Sequence, residues 1–306
     1  TKKKHSGAFQ MNNLECEKDS SFLNVSVKCL TLTNFRSYKN LRLLLDPRPV
    51  ILTGPNGAGK TNILEAVSML VPGRGFRRAK LSEISRVPGN GGWAVAAKIG
   101  SPHGEVDLGT GYSLPELKTI REKRAVKING TIVSNQNQLL DHVNVIWMTP
   151  QMDKLFSESS SELRRFFDQL VNAHDPSHSS RVNAYKMAMR ERLTLLKDYL
   201  KGDTGWVASL EGTMAERGVA IAAARRDLLS RLAPIVANSV GLFPAVRLEL
   251  LGSVEQWLEK SPALDVEERF RETLMESRGD DRSRGRTLIG PHLTDLAVYH
   301  KEKGQL

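Results

Sequence analysis

Cysteine and aromatic residues are scarce in this sequence. Its 306 residues include two cysteines, Cys16 and Cys29, and aromatic residues make up 6% of the chain. Two cysteines do not provide the disulfide framework that stabilises many small secreted domains. No spacing of cysteine and histidine indicates a zinc site either. We therefore interpret both cysteines as reduced thiols of a cytoplasmic protein.

Long apolar segments are also missing from the sequence. A membrane-spanning helix needs a run of about 18 or more apolar residues, and the sequence contains none. The basic residues 1–5 are not followed by the apolar segment of a secretory signal. We therefore expect no association with a membrane. The hydrophobic content of 40% is still sufficient for the core of one large domain or two.

Acidic residues are fewer than basic ones, at 34 against 44, so the formal net charge is +10. This excess favours a polyanionic partner, although positive charge also serves solubility. Clustering favours the first interpretation, because grouped cations fit a phosphate backbone. The clusters are Arg74, Arg77, Arg78 and Lys80; Arg121, Lys123 and Arg124; and Arg282, Arg284 and Arg286. We predict that the first two clusters contact the backbone of nucleic acid, with Arg74, Arg77, Arg78 and Lys80 as the DNA-binding residues.

The clearest motif is a glycine-rich loop between an apolar strand and a helical segment. Its residues are Gly54, Pro55, Asn56, Gly57, Ala58, Gly59, Lys60 and Thr61, which fit G-x-x-x-x-G-K-[ST]. The three glycines allow backbone N–H groups to approach phosphate oxygens closely. Lys60 is predicted to reach the β- and γ-phosphates, and Thr61 to place its hydroxyl on Mg²⁺. The motif therefore predicts binding of a nucleoside triphosphate by these eight residues.

Hydrophobic patterning changes at about residue 150. Residues 1–24 are polar and aperiodic, so we expect a disordered tail. Residues 25–150 have the alternation of β-strands and are expected to form an α/β P-loop domain. Strands are expected near 25–32, 38–45, 93–99 and 143–148, with a hairpin turn at Asn129-Gly130.

Residues 151–285 carry apolar residues at helical spacing and are expected to form an inserted helical lobe. Helices are expected near 159–172, 178–201, 206–239 and 264–277, a strand near 246–251, and an exposed loop at 276–286. Residues 286–306 regain β character, and we expect them to return to the first domain.

Five motifs, in order along the chain, resemble those of the RecF family, whose ATPase heads are related to ABC, SMC and Rad50 proteins. They lie at residues 32–38 (LTNFRSY), 54–66 (GPNGAGKTNILEA), 73–77 (GRGFR), 162–168 (ELRRFFD) and 290–296 (GPHLTDL). The resemblance covers about residues 25–306. One departure is Leu293, which stands where the family has arginine.

The resemblance implies an α/β fold: a P-loop NTPase head of the ABC/SMC type with an inserted helical lobe. It implies binding of ATP with Mg²⁺, a nucleotide contact from Arg36, and a metal contact from Gln151 in addition to Thr61. It further implies binding of gapped, single-stranded or double-stranded DNA by the cluster Arg74, Arg77, Arg78 and Lys80. Recombination mediator proteins are the implied partners, ATP-dependent homodimerisation the implied switch, and replication, DNA repair and the SOS response the implied roles.

The family's signature motif, Walker B strand and D-loop do not occur in these 306 residues. ATP hydrolysis by a P-loop protein needs an acidic residue for Mg²⁺ and a group that orients the attacking water. We therefore expect this polypeptide to bind ATP without significant turnover. Two alternatives stay open: a P-loop protein of another class, such as a metabolite kinase, and a noncatalytic remnant that binds nucleotide alone. The segment 32–38 and the helical insertion argue against the kinase.

Overall fold

The structure, a computed structural model, forms two compact units, with the division between Trp147 and Met148. This division lies close to the change in hydrophobic patterning at residue 150. The described residues are 10–13, 25–89, 91–102, 104–114, 122–150, 152, 155, 159–197, 204–238, 243–301 and 303.

The first unit contains a six-stranded antiparallel sheet and the glycine-rich loop. Its strands are β1 (Gln10–Asn13), β2 (Ser26–Phe35), β3 (Tyr38–Leu44), β4 (Val50–Thr53), β5 (Trp93–Ser101), β6 (Gly104–Tyr112), β7 (Ala125–Ile128) and β8 (Thr131–Val133). Its helices are α1 (Lys60–Ser68), α2 (Leu81–Ile84) and a 3-10 helix at Gln136–Asp141. The sheet has the strand order β3-β2-β5-β6-β7-β8, and every neighbouring pair is antiparallel.

Alternating apolar residues place one face of this sheet in the core. In β5 the buried apolar side chains are Trp93, Val95, Ala97 and Ile99, which lie two residues apart and therefore share a face. Ile63 of α1 belongs to the same core cluster. The helix that follows the glycine-rich loop is thus fixed to the unit through its apolar side.

The strand before the glycine-rich loop, β4, pairs with β1 in antiparallel register, with Gln10 opposite Thr53. Strand β1 differs from the disordered tail expected for residues 1–24, of which the remainder lies outside the described residues. The strand forms by backbone pairing with β4. Its four residues, Gln10-Met11-Asn12-Asn13, do not alternate regularly between polar and apolar types. Side-chain periodicity therefore gave no indication of it.

The hairpin predicted at Asn129-Gly130 is confirmed. Both residues have positive φ, at 48° and 80°, as a type I′ turn requires, and they join β7 to β8. The strand predicted at 143–148 is wrong, because this segment has no regular structure. Val143 is buried against the core of the first unit, but the backbone of the segment pairs with no described strand.

The second unit is mainly helical. Its helices are α3 (Ser160–His174), α4 (His178–Lys197), α5 (Thr204–Val236), α6 (Ser253–Trp257), α7 (Ala263–Glu276) and α8 (Arg278–Arg284), and its strands are β9 (Val246–Leu251) and β10 (Asp295–His300). Tyr185 of α4, Met214 of α5 and Phe270 of α7 meet in its core. Among the helices that the structure describes, none is long and apolar enough to cross a membrane.

Two expectations for the second unit need correction. The exposed loop expected at 276–286 is largely the helix α8, and its Asp281 is fully buried. Residues 286–306 were expected to return to the first domain, but β10 pairs with β9 along its whole length, from Asp295 opposite Leu251 to His300 opposite Val246. This pairing places β10 in the second unit.

A fully buried arginine joins four helices of the second unit. Arg192 of α4 donates from Nε to Glu211 of α5 at 2.9 Å, from Nη1 to Asp281 of α8 at 2.6 Å, and from Nη2 to the carbonyl of Leu274 in α7 at 2.6 Å. Both carboxylates are themselves buried. The need to satisfy these charges explains why the charged segment 278–284 folds inward as a helix.

Removing this cation will destabilise the second unit. In Arg192→Ala the buried carboxylates of Glu211 and Asp281 lose a charged donor, which costs about 3–5 kcal/mol for a broken buried pair. We expect the free energy of unfolding, measured by urea titration with circular dichroism, to fall by that amount. The matched control is Arg190→Ala on the same helix. Because Arg190 is exposed, this change is expected to stay within about 0.5 kcal/mol. Equal effects of the two substitutions would contradict the assigned role of Arg192.

Candidate functional site

The glycine-rich loop connects the end of β4 at Thr53 to the start of α1 at Lys60. The amide of Ala58 donates to the carbonyl of Pro55 at 3.2 Å, which closes the turn, and the amide of Asn62 donates to the carbonyl of Gly59 at 2.8 Å. The helix therefore begins directly after the loop. The free N–H groups and the positive end of a helix dipole are then available to an anion at this loop.

Three glycines give the loop its shape. Gly54, Gly57 and Gly59 have φ values of 140°, 83° and 98°, a region that other L-residues rarely adopt. Gly59 has a second constraint, because a Cβ atom there would lie 2.6 Å from the hydroxyl oxygen of Tyr38 and 3.1 Å from that of Ser37. A side chain at position 59 would thus collide with the turn between β2 and β3.

The ammonium of Lys60 lies over the loop. Its Nζ donates to the carbonyl oxygens of Gly54 at 2.5 Å and Pro55 at 2.9 Å. The side chain thereby folds back from the first residue of α1 to the first two residues of the loop. This arrangement puts a full positive charge where the loop amides and the helix N-terminus also favour an anion.

The turn between β2 and β3 supports the loop from the side. The Tyr38 hydroxyl donates to the carbonyl of Ala58 at 3.4 Å, and the side-chain amide of Asn62 donates to the Ser37 hydroxyl at 2.9 Å. Burial raises the pKa of Tyr38 above its ordinary value, so its hydroxyl remains a donor. The motif at 32–38 thus has a local structural role beside the loop.

The buried carboxylate of Glu65 binds two arginines. Arg36 donates from Nε and Nη2 to the two oxygens of Glu65 at 2.9 and 2.6 Å, and Arg77 donates from Nη1 at 3.0 Å. The guanidinium of Arg36 also donates from Nη1 to the carbonyl of Glu83 at 2.9 Å. The guanidinium of Arg36 is thus hydrogen-bonded to Glu65 and Glu83. Its predicted contact with a nucleotide stays a prediction.

The basic cluster predicted to contact DNA lies between α1 and α2. Arg74, Arg78 and Lys80 are exposed. Arg77 is more constrained, because it also donates to the side-chain oxygen of Asn62 at 3.1 Å. The four residues lie within seven positions of the sequence, and the contact of Arg77 with Asn62 links this segment to the helix that follows the glycine-rich loop.

The prediction that the second basic cluster contacts a phosphate backbone is wrong for Arg124. Arg124 is only 5% exposed and donates to the carbonyls of Gly73 at 2.8 Å and Val71 at 3.0 Å. Burial lowers its pKa to about 10. Arg124 thus secures the backbone after α1 and is not available to a polyanion. Arg121 lies outside the described residues, and Lys123 is exposed.

Of the two predicted magnesium ligands, only Thr61 lies among the described residues. Thr61 is the second residue of α1 and is exposed. Gln151 lies outside the described residues. Within the described ranges, no group of three His, Cys, Asp or Glu side chains is placed to hold a metal ion. A magnesium ion at a P-loop needs no such group, because it retains water and binds substrate phosphates.

Glu65 was missed by the sequence analysis. It lies in the segment 60–68, where buried Ile63 and Ala66 mark the inner side of α1. An acidic residue between such positions is a signal of a buried partner, because a lone buried carboxylate is costly. The arginines of the motifs at 32–38 and 73–77 were the available partners.

These features define the class of the protein. A strand, a loop with three glycines at positive φ, a lysine ammonium over that loop and a helix N-terminus together form a P-loop nucleotide-binding domain. Comparison with known proteins agrees, since a family profile described as AAA domain matches residues 29–201.

Curated relatives give a narrower assignment. The chain is 46% identical over 276 residues to the DNA replication and repair protein RecF of Mesorhizobium japonicum, which covers 90% of this chain and 72% of that protein. It is 44% identical over 281 residues to the RecF protein of Rhizobium etli, with 91% and 74% covered. The chain belongs to the RecF family of DNA replication and repair proteins.

Solved structures share the fold. One is described as the structure of the recombination mediator protein RecF-ATPrS in the RecFOR pathway; it has a TM-score of 0.77, 22% identity, and coverage of 90% of this chain and 73% of that chain. A second, described as RecF-ATP in the same pathway, has a TM-score of 0.75 at 22% identity and covers 90% and 74%. The predicted fold, an α/β P-loop head with a helical lobe, is thereby confirmed.

A methyl group at position 59 will distort the loop by collision. Gly59→Ala adds a Cβ against the Tyr38 hydroxyl as well as backbone strain, and we expect a loss of about 2–4 kcal/mol in unfolding free energy. Gly57→Ala is the matched control, since Gly57 also has positive φ but nothing lies within 4 Å of its Cβ position. Its loss should be limited to strain, about 1–2 kcal/mol.

The collision can be tested separately from the strain. Tyr38→Phe removes the nearest atom from the Cβ position at residue 59 and should partly restore Gly59→Ala in urea titrations. The same change should give no rescue to Gly57→Ala. Identical behaviour of the two alanine variants with and without Tyr38 would show that the contact with the tyrosine does not constrain position 59.

Proposed function

We propose that this chain binds ATP through residues 54–61 and acts as an ATP-binding DNA replication and repair protein. The observation that carries the proposal is the position of the Lys60 ammonium over a loop with three positive-φ glycines at the start of α1. Family membership supports the repair role, and the relatives described with ATP support the choice of nucleotide.

The residues present fit a bound triphosphate. The loop offers backbone N–H groups to phosphate oxygens, and Lys60 needs only to exchange two carbonyl contacts for phosphate oxygens. Thr61 would supply a hydroxyl to Mg²⁺, with Gln151 as the second proposed ligand. Bound Mg²⁺ would neutralise charge on the phosphates.

DNA is the proposed polyanionic partner. The exposed Arg74, Arg78 and Lys80 support backbone contacts, which are independent of sequence and sensitive to salt. We include Arg77 in this surface, although its contacts with Glu65 and Asn62 limit its reach. Gapped, single-stranded and double-stranded DNA all present the phosphates that such a surface would contact.

The further partners follow from the family. We propose that the protein acts in the cytoplasm with recombination mediator proteins and that ATP promotes its homodimerisation. The support for the mediator partners is the description of a similar structure as a recombination mediator in the RecFOR pathway. The homodimer and the cytoplasmic location are proposed from the resemblance to the RecF family. A metabolite kinase, the alternative from another class, is favoured by no feature of the described residues.

Removal of the Lys60 ammonium will weaken ATP binding. In Lys60→Ala we expect the dissociation constant for Mg-ATP to rise at least tenfold, or about 1.4 kcal/mol, in isothermal titration calorimetry. Lys127→Ala is the matched control, since Lys127 is exposed on β7 of the same unit. Equal affinities of wild type and Lys60→Ala would refute binding through this loop.

DNA binding will depend on salt through the exposed cluster. We expect a linear fall of log affinity with log salt concentration for a gapped duplex, measured by fluorescence anisotropy. Each lost phosphate contact reduces the slope by about 0.9, so Arg74→Ala and Lys80→Ala together should reduce it by about 1.8. Arg42→Ala, an exposed arginine of β3, serves as the control for charge alone. A slope that is unchanged in the double variant would exclude this cluster from the DNA surface.

A further inference from the structure

The second unit contains a cavity of about 160 Å³ that the proposed ATP and DNA sites do not use. It lies among α3, α4, α5 and the loop before β10. Its charged lining consists of Arg164, Arg165, Lys186 and Arg225 with a single carboxylate, Asp168. Four cations and one anion give the lining of this partly open cavity an excess of positive charge.

The carboxylate of Asp168 is already committed. Arg225 donates from Nε and Nη2 to its two oxygens at 2.8 and 3.0 Å, and His178 Nε2 lies 2.9 Å from Oδ1. Burial acts to raise the pKa of Asp168, but the His178 hydrogen bond and the charge of Arg225 outweigh it and lower the pKa to about 2. Asp168 therefore neutralises Arg225 and is not available as a close ion-pair partner for Lys186.

Lys186 is the least satisfied of these cations. Within the part of the chain that the structure describes, its ammonium makes no hydrogen bond or ion pair, although Asp168 attracts it from a distance. Lys186 is one of the residues that line the cavity, and it is also exposed to solvent. Partial burial, with the nearby charges of Arg165, Arg225 and Arg190, lowers the pKa of its ammonium. An anion in the cavity would relieve this repulsion.

Two arginines of the lining can also donate hydrogen bonds to an anion in the cavity, and they lose little stabilisation by doing so. Arg165 pairs with Glu162 at 2.6 Å, but both side chains are more than 40% exposed, and exposed pairs contribute little. Arg164 uses Nη1 for Asp295 and the carbonyl of Thr294. Its planar guanidinium presents further N–H groups, which suit the oxygens of a tetrahedral anion.

One wall of the cavity is uncharged and hydrogen-bonded within itself. His292 Nε2 donates to the carbonyl of Thr287 at 3.0 Å, so Nδ1 is the acceptor for the Tyr185 hydroxyl at 2.8 Å. Burial lowers the pKa of His292, which keeps the imidazole uncharged. This wall adds shape without compensating the positive charge.

We propose that this cavity binds a phosphate group, carried by a nucleotide or by a nucleic-acid backbone, with Lys186 and Arg165 as its principal cationic contacts. None of its lining residues belongs to residues 54–61 or to the cluster 74–80, so the site is additional to both proposed sites.

The test uses the full chain with Lys60→Ala, which removes the lysine of the glycine-rich loop. Inorganic phosphate is titrated calorimetrically at constant ionic strength into this protein, with and without Lys186→Gln. We expect Lys186→Gln to weaken phosphate binding at least tenfold and Arg165→Gln to weaken it severalfold. Lys260→Gln, an exposed lysine of the same unit outside the cavity, removes the same charge and should change nothing.

Two further titrations distinguish the source of the phosphate. ATP and a short single-stranded oligonucleotide are titrated into the same variants, and the ligand whose affinity falls with Lys186→Gln, but not with Lys260→Gln, is the one that the cavity takes. If inorganic phosphate responds but neither ATP nor the oligonucleotide does, the cavity does not take a phosphate carried by a nucleotide or a nucleic acid, and the proposal is overturned. Absence of phosphate binding to the Lys60→Ala protein, or equal binding by Lys186→Gln, would overturn the proposal. ATP binding by the unmodified chain tests the glycine-rich loop independently of these outcomes.

Discussion

The buried carboxylate of Glu65 is the interaction on which the first unit's functional region depends. Arg36, from the turn after β2, binds both of its oxygens, and Arg77, from the segment after α1, also binds one of them. A buried carboxylate is tolerated only when paired and hydrogen-bonded, so the three segments are fixed together. Because Glu65 lies in the helix that begins at Lys60, this pairing also fixes the direction in which that helix faces the glycine-rich loop.

The second unit uses the same principle with arginine at the centre instead of glutamate. Arg192 and Arg225 are each buried in helices and reach carboxylates or carbonyls on other elements. Arg225 donates to the carbonyl of Pro291 at 2.6 Å and so positions the motif at 290–292. Gly290, with φ of 131°, lies too close to Tyr185 and Phe270 to admit a side chain. That motif therefore has a packing explanation that needs no ligand.

The sequence predicted what local rules determine. The glycine-rich loop, the helix after it and the Asn129-Gly130 hairpin follow from residue types that restrict φ or cap an element. It did not predict β1, the irregular course of 143–148 or the helix α8, because these depend on partners distant in the chain. The same difference between local and distant determinants applies to the predicted site residues. Lys60 lies where its motif predicts. Arg124 was misassigned because its burial depends on carbonyls about 50 residues earlier.

The anchoring of the backbone by Arg124 has a consequence for conformational entropy. The carbonyls of Val71 and Gly73 are fixed by its guanidinium, and the exposed Arg74 follows directly. Ordering the backbone of a residue costs about 1–2 kcal/mol, and here that cost is met when the chain folds. A ligand that engages Arg74 has to immobilise chiefly its side chain. The segment is thus preorganised at its first basic residue, and binding energy gained there is not spent on ordering the chain.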